Sequence, residues 1–123
     1  MNSYNVISEN SDIALTAHRL VKFTSTGVTL CGADGDAIGT TLNDTLINTE
    51  AAVALRKSYG LHYVTVADGT DIAVGDQLDQ AADGKVTKAA GGKIVGVARQ
   101  ANTEAGGIIR AYLYPSEPAE AGT

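Results

Sequence analysis

The stretch Leu61-His62-Tyr63-Val64-Thr65-Val66-Ala67 alternates its side chains and is rich in β-branched and aromatic residues. Successive side chains of a strand point to opposite faces, so His62, Val64 and Val66 would share one face of a sheet. Asp68-Gly69, a favoured turn pair, ends the run. This pattern predicts a half-buried β-strand.

Further strand-like runs flank this stretch and are separated by glycine-containing turns. Short runs of Val, Ile and Leu between turn residues are typical of short strands. We expect strands within 17–23, 28–31, 37–42, 85–88, 93–98 and 108–114. The first two would form a hairpin around Ser25-Thr26-Gly27. In the last, Ile109, Ala111 and Leu113 would face opposite Arg110, Tyr112 and Tyr114. The sequence therefore predicts a mainly β fold.

Residues 50–59 favour a short helix by propensity, yet they contain the strand-like run 52–56. An internal repeat bears on this choice, because four short matches recur in order along the chain. They are Asp12-Ile13-Ala14-Leu15 with Asp71-Ile72-Ala73-Val74, Val28-Thr29 with Val86-Thr87, Ile38-Gly39 with Val95-Gly96, and Asn48-Thr49-Glu50-Ala51 with Asn102-Thr103-Glu104-Ala105.

Arg56 follows the last match in the first copy and Arg110 follows it in the second, where it lies in a strand-like run. We therefore favour a strand at 52–56. The expected architecture is two similar β units, 12–56 and 71–110, joined by the strand at 61–67. They would close into one small β-barrel or sandwich, which limits exposed sheet edges.

The length of 123 residues fits one domain. Residues 1–12 are mostly polar, which predicts an extended N-terminal arm that a partner could order. We place a single β domain at 13–115 and a flexible C-terminal tail at 116–123. The N-terminus has neither the basic nor the apolar region of a signal peptide, so we expect synthesis in a cytoplasm-like compartment.

The charge pattern argues against nucleic acid and membrane partners. The net charge is −5 and the nine basic residues are scattered, whereas phosphate binding needs Lys and Arg on one face. Cys31 is the only cysteine, so no internal disulfide can form. No apolar run approaches the ~20 residues of a spanning helix.

The residues that could carry chemistry do not form a recognisable constellation. His18 and His62 lie in strand-like runs and are interpreted as hydrogen-bonded strand histidines, and Cys31 as a small buried hydrophobe. The Asp-Gly pairs are interpreted as turns, with a weak surface ion as the alternative. Gly91-Gly92-Lys93 lacks the first glycine of a phosphate loop. We expect no catalytic residue, no metal site, no cofactor and no enzymatic activity.

The order of several motifs resembles the capsid cement, or head decoration, proteins of tailed bacteriophages. The matching segments are Asp36-Ala37-Ile38-Gly39-Thr40-Thr41-Leu42, Ala52-Val53-Ala54-Leu55, Val74-Gly75-Asp76-Gln77-Leu78, Asp83-Gly84-Lys85-Val86-Thr87, Ile94-Val95-Gly96-Val97-Ala98 and the closing strand through Tyr114-Pro115. This resemblance covers roughly residues 15–115. It implies a β fold, homotrimers, and binding to the major capsid protein on the outside of the assembled head, which makes the chain a virion component.

Two groups of residues are candidates for contact with the capsid or with other subunits. Tyr and Arg are enriched at protein interfaces, and an arm can pair with a neighbour. The candidates are Tyr4, Val6 and Ile7 of the arm, and Arg110, Tyr112 and Tyr114 of the last strand. A carbohydrate-binding or adhesion module is the alternative, although the absence of Trp disfavours stacking on sugars.

Overall fold

A computed structural model describes residues 6–56, 60–67, 71–104 and 106–114, and these form ten strands in two five-stranded antiparallel sheets. The first sheet comprises β1 (Val6–Asn10), β2 (Leu20–Phe23), β3 (Val28–Leu30), β4 (Gly39–Thr41) and β5 (Glu50–Leu55). The second comprises β6 (Gly60–Thr65), β7 (Gln77–Gln80), β8 (Val86–Lys88), β9 (Ile94–Ala98) and β10 (Ile108–Leu113). The predicted mainly β fold is confirmed, and residues 52–55 lie in a strand rather than a helix.

The two sheets have the same strand order. The first runs β1-β5-β4-β2-β3, and the second runs β6-β10-β9-β7-β8, which is that order shifted by five strands. Beyond each first strand, the chain forms a parallel bridge to the third strand, Ser11 to Val28 and Val66 to Val86. These bridges join the two edges of each sheet, so each unit curls into a small barrel-like body. The prediction of two similar β units is confirmed.

Backbone pairing shows which repeat matches are structurally equivalent. Val28 and Val86 begin β3 and β8, and each pairs with the last residue of the preceding strand. Gly39 and Gly96 lie opposite the same position of β2 and β7. The two central matches of the repeat are therefore confirmed.

The two outer matches are wrong in register. Leu15 and Ile72 each form a bridge to the loop before the last strand of their unit, β5 or β10. Leu15 therefore corresponds to Ile72, two residues away from its predicted counterpart Val74. Arg56 follows β5 as Tyr114 follows β10, so Arg110 is not its counterpart. Short identities of common turn residues arise easily by chance, whereas ladder pairing determines equivalence. The strand predicted at 52–56 is thus confirmed as β5 except for Arg56, which follows the strand, although the prediction rested on a wrong correspondence.

The first strand of each unit has a role that the sequence did not predict. The stretch 61–67, expected to join the units, supplies β6, and β6 is the first strand of the second unit and pairs with β10. Its counterpart β1 lies within the predicted arm and pairs with β5, from Val6 opposite Ala54 to Asn10 opposite Glu50. The residues beyond 114, including the predicted tail, lie outside the described residues, as do residues 1–5.

Each unit has its own apolar interior. In the first unit (6–56), one buried cluster comprises Leu15, Val21, Val28, Ile38, Ala51 and Val53. In the second unit (60–114), the buried cluster comprises Val64, Val66, Ile72, Leu78, Val86, Val95, Ala98, Ile109, Ala111 and Leu113. The alternating exposure of β10, with odd-numbered residues 109 to 113 buried, matches the predicted faces. Leu20, Cys31 and Ala37 of the first unit also belong to the second cluster, which places the contact between the units.

Candidate interaction surfaces

The two units meet through different surfaces. The first unit presents the outside of its sheet, and we call this its side face. The side face consists of Leu20, Cys31, Ala37 and Thr40. The second unit presents an open end of its barrel, which we call its end face. The end face consists of His62, Thr65, Gln80 and Gly84. The side face covers the open end and completes the burial of the second core.

Gln80 is the main polar anchor of this contact. Its side chain is 5% exposed, and its Nε2 donates to the carbonyl oxygen of Gly35 at 2.7 Å and to that of Gly32 at 3.3 Å. Its Oε1 accepts a hydrogen bond from the Ala37 amide at 3.3 Å. The Gln80 Nε2 also lies 3.6 Å from the Cys31 Sγ. One buried amide therefore satisfies backbone groups of the loop between β3 and β4, as buried polar groups require.

His62 forms the second buried link, since its Nδ1 lies 2.8 Å from the Thr40 Oγ1 and both residues are buried. Burial, assisted by the positive charge of Arg56, lowers the pKa of His62 from 6.5 to about 4. The imidazole is therefore neutral at pH 7. The prediction of a hydrogen-bonded strand histidine is confirmed for His62. It is wrong for His18, which lies in a left-handed turn before β2 with φ of 66°.

Charged side chains surround this contact. Lys93 Nζ lies 2.8 Å from the Asp36 Oδ1, and this pair raises the pKa of Lys93 and lowers that of Asp36. Arg56 donates from Nε to the Tyr114 carbonyl oxygen at 3.1 Å. Arg19 donates from Nη1 to the Asp83 carbonyl oxygen at 3.1 Å. The exposed ion pair of Lys93 with Asp36 contributes little stability, whereas Arg56 is buried and its hydrogen bonds tie the two units together.

The structure does not bring the two predicted contact groups onto one sheet. Val6 and Ile7 lie on β1, where Val6 is 47% exposed and Ile7 packs partly against the first core. Arg110 and Tyr112 point outward from β10, and the Arg99 guanidinium lies 5.5 Å from the Tyr112 ring centroid. Tyr114 follows β10, and its hydroxyl lies 3.5 Å from Gln77 Nε2. Tyr4 lies outside the described residues. The roles of all six residues stay predictions.

Sequence reasoning did not single out several exposed apolar side chains. Phe23 at the end of β2 is 43% exposed, and Ile94 at the start of β9 is 45% exposed. In the loop before β5, Leu46 is 74% and Ile47 is 54% exposed. The sequence shows that these residues are apolar but not that they are exposed, so no signal in it could have identified them.

The residues considered for chemistry have structural partners. Cys31 is fully buried, and burial raises the pKa of its thiol, as expected of a small core residue. Asp79 is 4% exposed and accepts hydrogen bonds from the amides of Ala90 and Gly92, so it shapes the turn after β8. Across the described ranges, no three or more His, Cys, Asp or Glu side chains are placed to hold a metal ion. Nor do these ranges contain a helix with the length and apolarity needed to cross a bilayer.

Comparison with known proteins identifies a likeness in structure. No protein-family model matches the chain, and no curated protein matches it in sequence. Among solved structures, the N base of head fiber gp8.5 in bacteriophage phi29 is similar, with a TM-score of 0.70 and 17% sequence identity. The similarity covers 93% of this chain and 97% of that one. At this identity the likeness shows a shared fold, so the resemblance to phage head proteins is confirmed at the level of the fold.

Proposed function

We propose that this chain is a structural protein of a tailed-bacteriophage virion, which binds the outer surface of the assembled head and stabilises it as a cement protein. The observation that carries the proposal is the fold shared with a phage head fiber protein over nearly the whole chain. The sequence resemblance to head decoration proteins, found independently of the structure, supports the same assignment. The partner would be the major capsid protein.

The structure is suited to such a role. Two barrel-like units have buried apolar cores and are docked through hydrogen bonds of Gln80 and His62. A protein that binds only the assembled shell stabilises that state by mass action. Many copies, each binding weakly, together hold a shell more firmly than one copy does. No step of this function needs a catalytic group.

The outward face of β10 is our candidate for the capsid contact. Arg110 is exposed and Tyr112 is 36% exposed, and Arg99 lies beside the Tyr112 ring. This group of Arg and Tyr side chains has the composition of interface centres. The homotrimer implied by the resemblance is part of the proposal, because a trimer would present three such faces at once.

The test is rebinding to phage heads from which this protein has been removed. The purified chain is mixed with the stripped heads and sedimented, and its copy number per head is measured together with the melting temperature of the heads. We expect binding that saturates at a fixed copy number and a higher melting temperature. The double variant Arg110→Glu with Tyr112→Ala should bind more weakly, whereas Leu46→Ala, an exposed apolar change in the loop before β5 of the first unit, is the control.

Failure to bind, or binding without saturation, would refute the cement function. A carbohydrate-binding module would then be the next hypothesis, and a glycan array would test it directly. Because the array contains no capsid protein, a positive result there and a negative one with heads would separate the two functions.

A further inference from the structure

We propose that copies of this chain associate head to tail, with the side face of the second unit in one copy docking on the end face of the first unit in the next. The partner is a second copy of the same chain. The template for this contact is the interface between the two units inside the chain. This inference concerns self-association and does not depend on the capsid-binding function.

Ladder pairing identifies the side face of the second unit. Leu20 and Gln77 occupy the same position, because each lies opposite the residue that follows the equivalent glycine, Thr40 after Gly39 in the first sheet and Val97 after Gly96 in the second. Cys31 donates its amide to the Leu20 carbonyl as Ala89 does to that of Gln77. Ala37 and Ile94 each lie two residues before the equivalent glycines, Gly39 and Gly96, and the residues between them, Ile38 and Val95, are both buried. The side face of the second unit therefore consists of Gln77, Ala89, Ile94 and Val97.

The same pairing identifies the end face of the first unit. Ile7 lies opposite Val53 of β5 as His62 lies opposite Ala111 of β10. Phe23 pairs with the first residue of β3 as Gln80 pairs with the first residue of β8. The end face of the first unit therefore contains Ile7 and Phe23.

The residue types of these two outer faces match each other. Inside the chain, Thr40 meets His62 and the Ala37 amide meets Gln80, so polar groups contact polar groups. On the outer faces, the counterparts of the first pair are Val97 and Ile7, and those of the second are Ile94 and Phe23. In the first pair both polar side chains are replaced by apolar ones, and in the second Phe23 replaces the polar Gln80 while Ile94 replaces the smaller apolar Ala37. The change in the opposite direction is at Leu20, whose counterpart Gln77 is polar. The matched change in the two pairs is expected if the two outer faces meet as the inner ones do.

Exposure supports the same contact. Ile94 is 45% exposed and Phe23, the only phenylalanine of the chain, is 43% exposed. In the internal interface, their counterparts Ala37 and Gln80 are 1% and 5% exposed. Docking of a second copy would bury both side chains, and burial of exposed apolar surface drives association.

Because the two faces differ, the contact is heterologous, and each added copy presents a new face. Heterologous contacts close into rings or continue as filaments. The trimer of the proposed function would then be a closed ring of three chains, with six similar units around its axis.

The first experiment measures mass in solution by light scattering and mass photometry, from nanomolar to hundreds of micromolar protein. We expect the unaltered chain to form oligomers larger than a dimer. Ile94→Asp and Phe23→Asp should each raise the dissociation constant by roughly 30-fold or more, as expected for loss of a central anchor. Leu46→Asp, at a 74% exposed site on neither face, should not change the mass. Circular dichroism verifies that each variant is folded.

Mixing the two variants distinguishes a head-to-tail contact from other arrangements. The Ile94→Asp chain keeps an intact end face, and the Phe23→Asp chain keeps an intact side face. An equimolar mixture should therefore form a dimer of one copy each and stop there. A variant that dimerises by itself, a mixture that stays monomeric, or an unaltered chain that is monomeric throughout would overturn the proposal.

A cross-link tests the geometry itself. The Gln80 Nε2 lies 3.6 Å from the Cys31 Sγ, and the counterparts of these residues on the outer faces are Phe23 and Ala89. In a Cys31→Ala background, Phe23→Cys together with Ala89→Cys should form disulfide-linked ladders under mild oxidation. Phe23→Cys with Leu46→Cys is the matched control and should not. Equal cross-linking of both pairs, or of neither, would contradict the assignment of the faces.

Discussion

Acidification should destabilise the chain through His62. In the folded protein, burial and the charge of Arg56 lower the pKa of His62 to about 4, whereas the unfolded chain has the ordinary value of 6.5. Between these values the unfolded state binds a proton that the folded state does not, so the free energy of unfolding decreases as pH falls. A difference of this size corresponds to about 3 kcal/mol. The loss begins near pH 6.5 and is complete just below pH 4.

The assay is denaturant unfolding at a series of pH values from 7.5 to 4.5, compared with His62→Gln. Glutamine keeps an amide that can hydrogen-bond to Thr40 but does not titrate. Carboxylates such as Asp12 and Asp36, whose pKa values are lowered, also lose stabilising contacts in acid. Both proteins share those groups, so the difference between them isolates His62. If the difference in unfolding free energy between wild type and variant stays constant from pH 7.5 to 4.5, the reasoning is refuted.

Three further substitutions test the packing, each by chemical denaturation. Gln80→Ala should destabilise by about 2 kcal/mol, because it leaves buried backbone groups unsatisfied; the exposed Gln77→Ala should change stability by less than ~0.5 kcal/mol. Gly39→Ala should lower the free energy of unfolding by about 3 kcal/mol, because a Cβ there would overlap a β5 carbonyl oxygen. Gly32→Ala, with open space around it, is the control, and equal losses for both variants would contradict this explanation. Leu78→Ala should lower the free energy of unfolding by about 3 kcal/mol, because it leaves a cavity in the second core. A decrease below ~1 kcal/mol would contradict the close packing of Leu78 in that core.

Alternation and turn residues predicted most of the fold. The hairpin of β2 and β3, the strands β6 and β10, and the buried face of β10 were all visible as apolar alternation between glycine turns. β7 was not, because three of the four residues of Gln77–Gln80 are polar. Its Asp79 and Gln80 are buried because specific hydrogen bonds satisfy them, and such partners come from distant parts of the chain.

The candidate surfaces were predictable only in part, for a related reason. Arg110 and Tyr112 face outward on β10, as alternation predicts. Phe23 and Ile94, at strand ends, and Leu46, in a loop, are in contrast exposed although they are apolar, and a large hydrophobic residue is more often buried. Only the pairing of the strands shows that Phe23 corresponds to Gln80 at the mouth of a barrel.

The contrast between the inner and outer faces has a physical explanation. The two units of one chain are held at high effective concentration by their short connection, so polar links such as Thr40 with His62, beside the burial of small apolar groups such as Ala37, suffice to dock them. Two separate chains must also offset the loss of translational and rotational freedom on association. Apolar burial supplies that free energy, whereas polar pairs mainly exchange one set of hydrogen bonds for another. Apolar residues at the outer counterparts, Val97 and Ile7, are therefore what a contact between copies requires, and polar residues there would argue for units that stay apart.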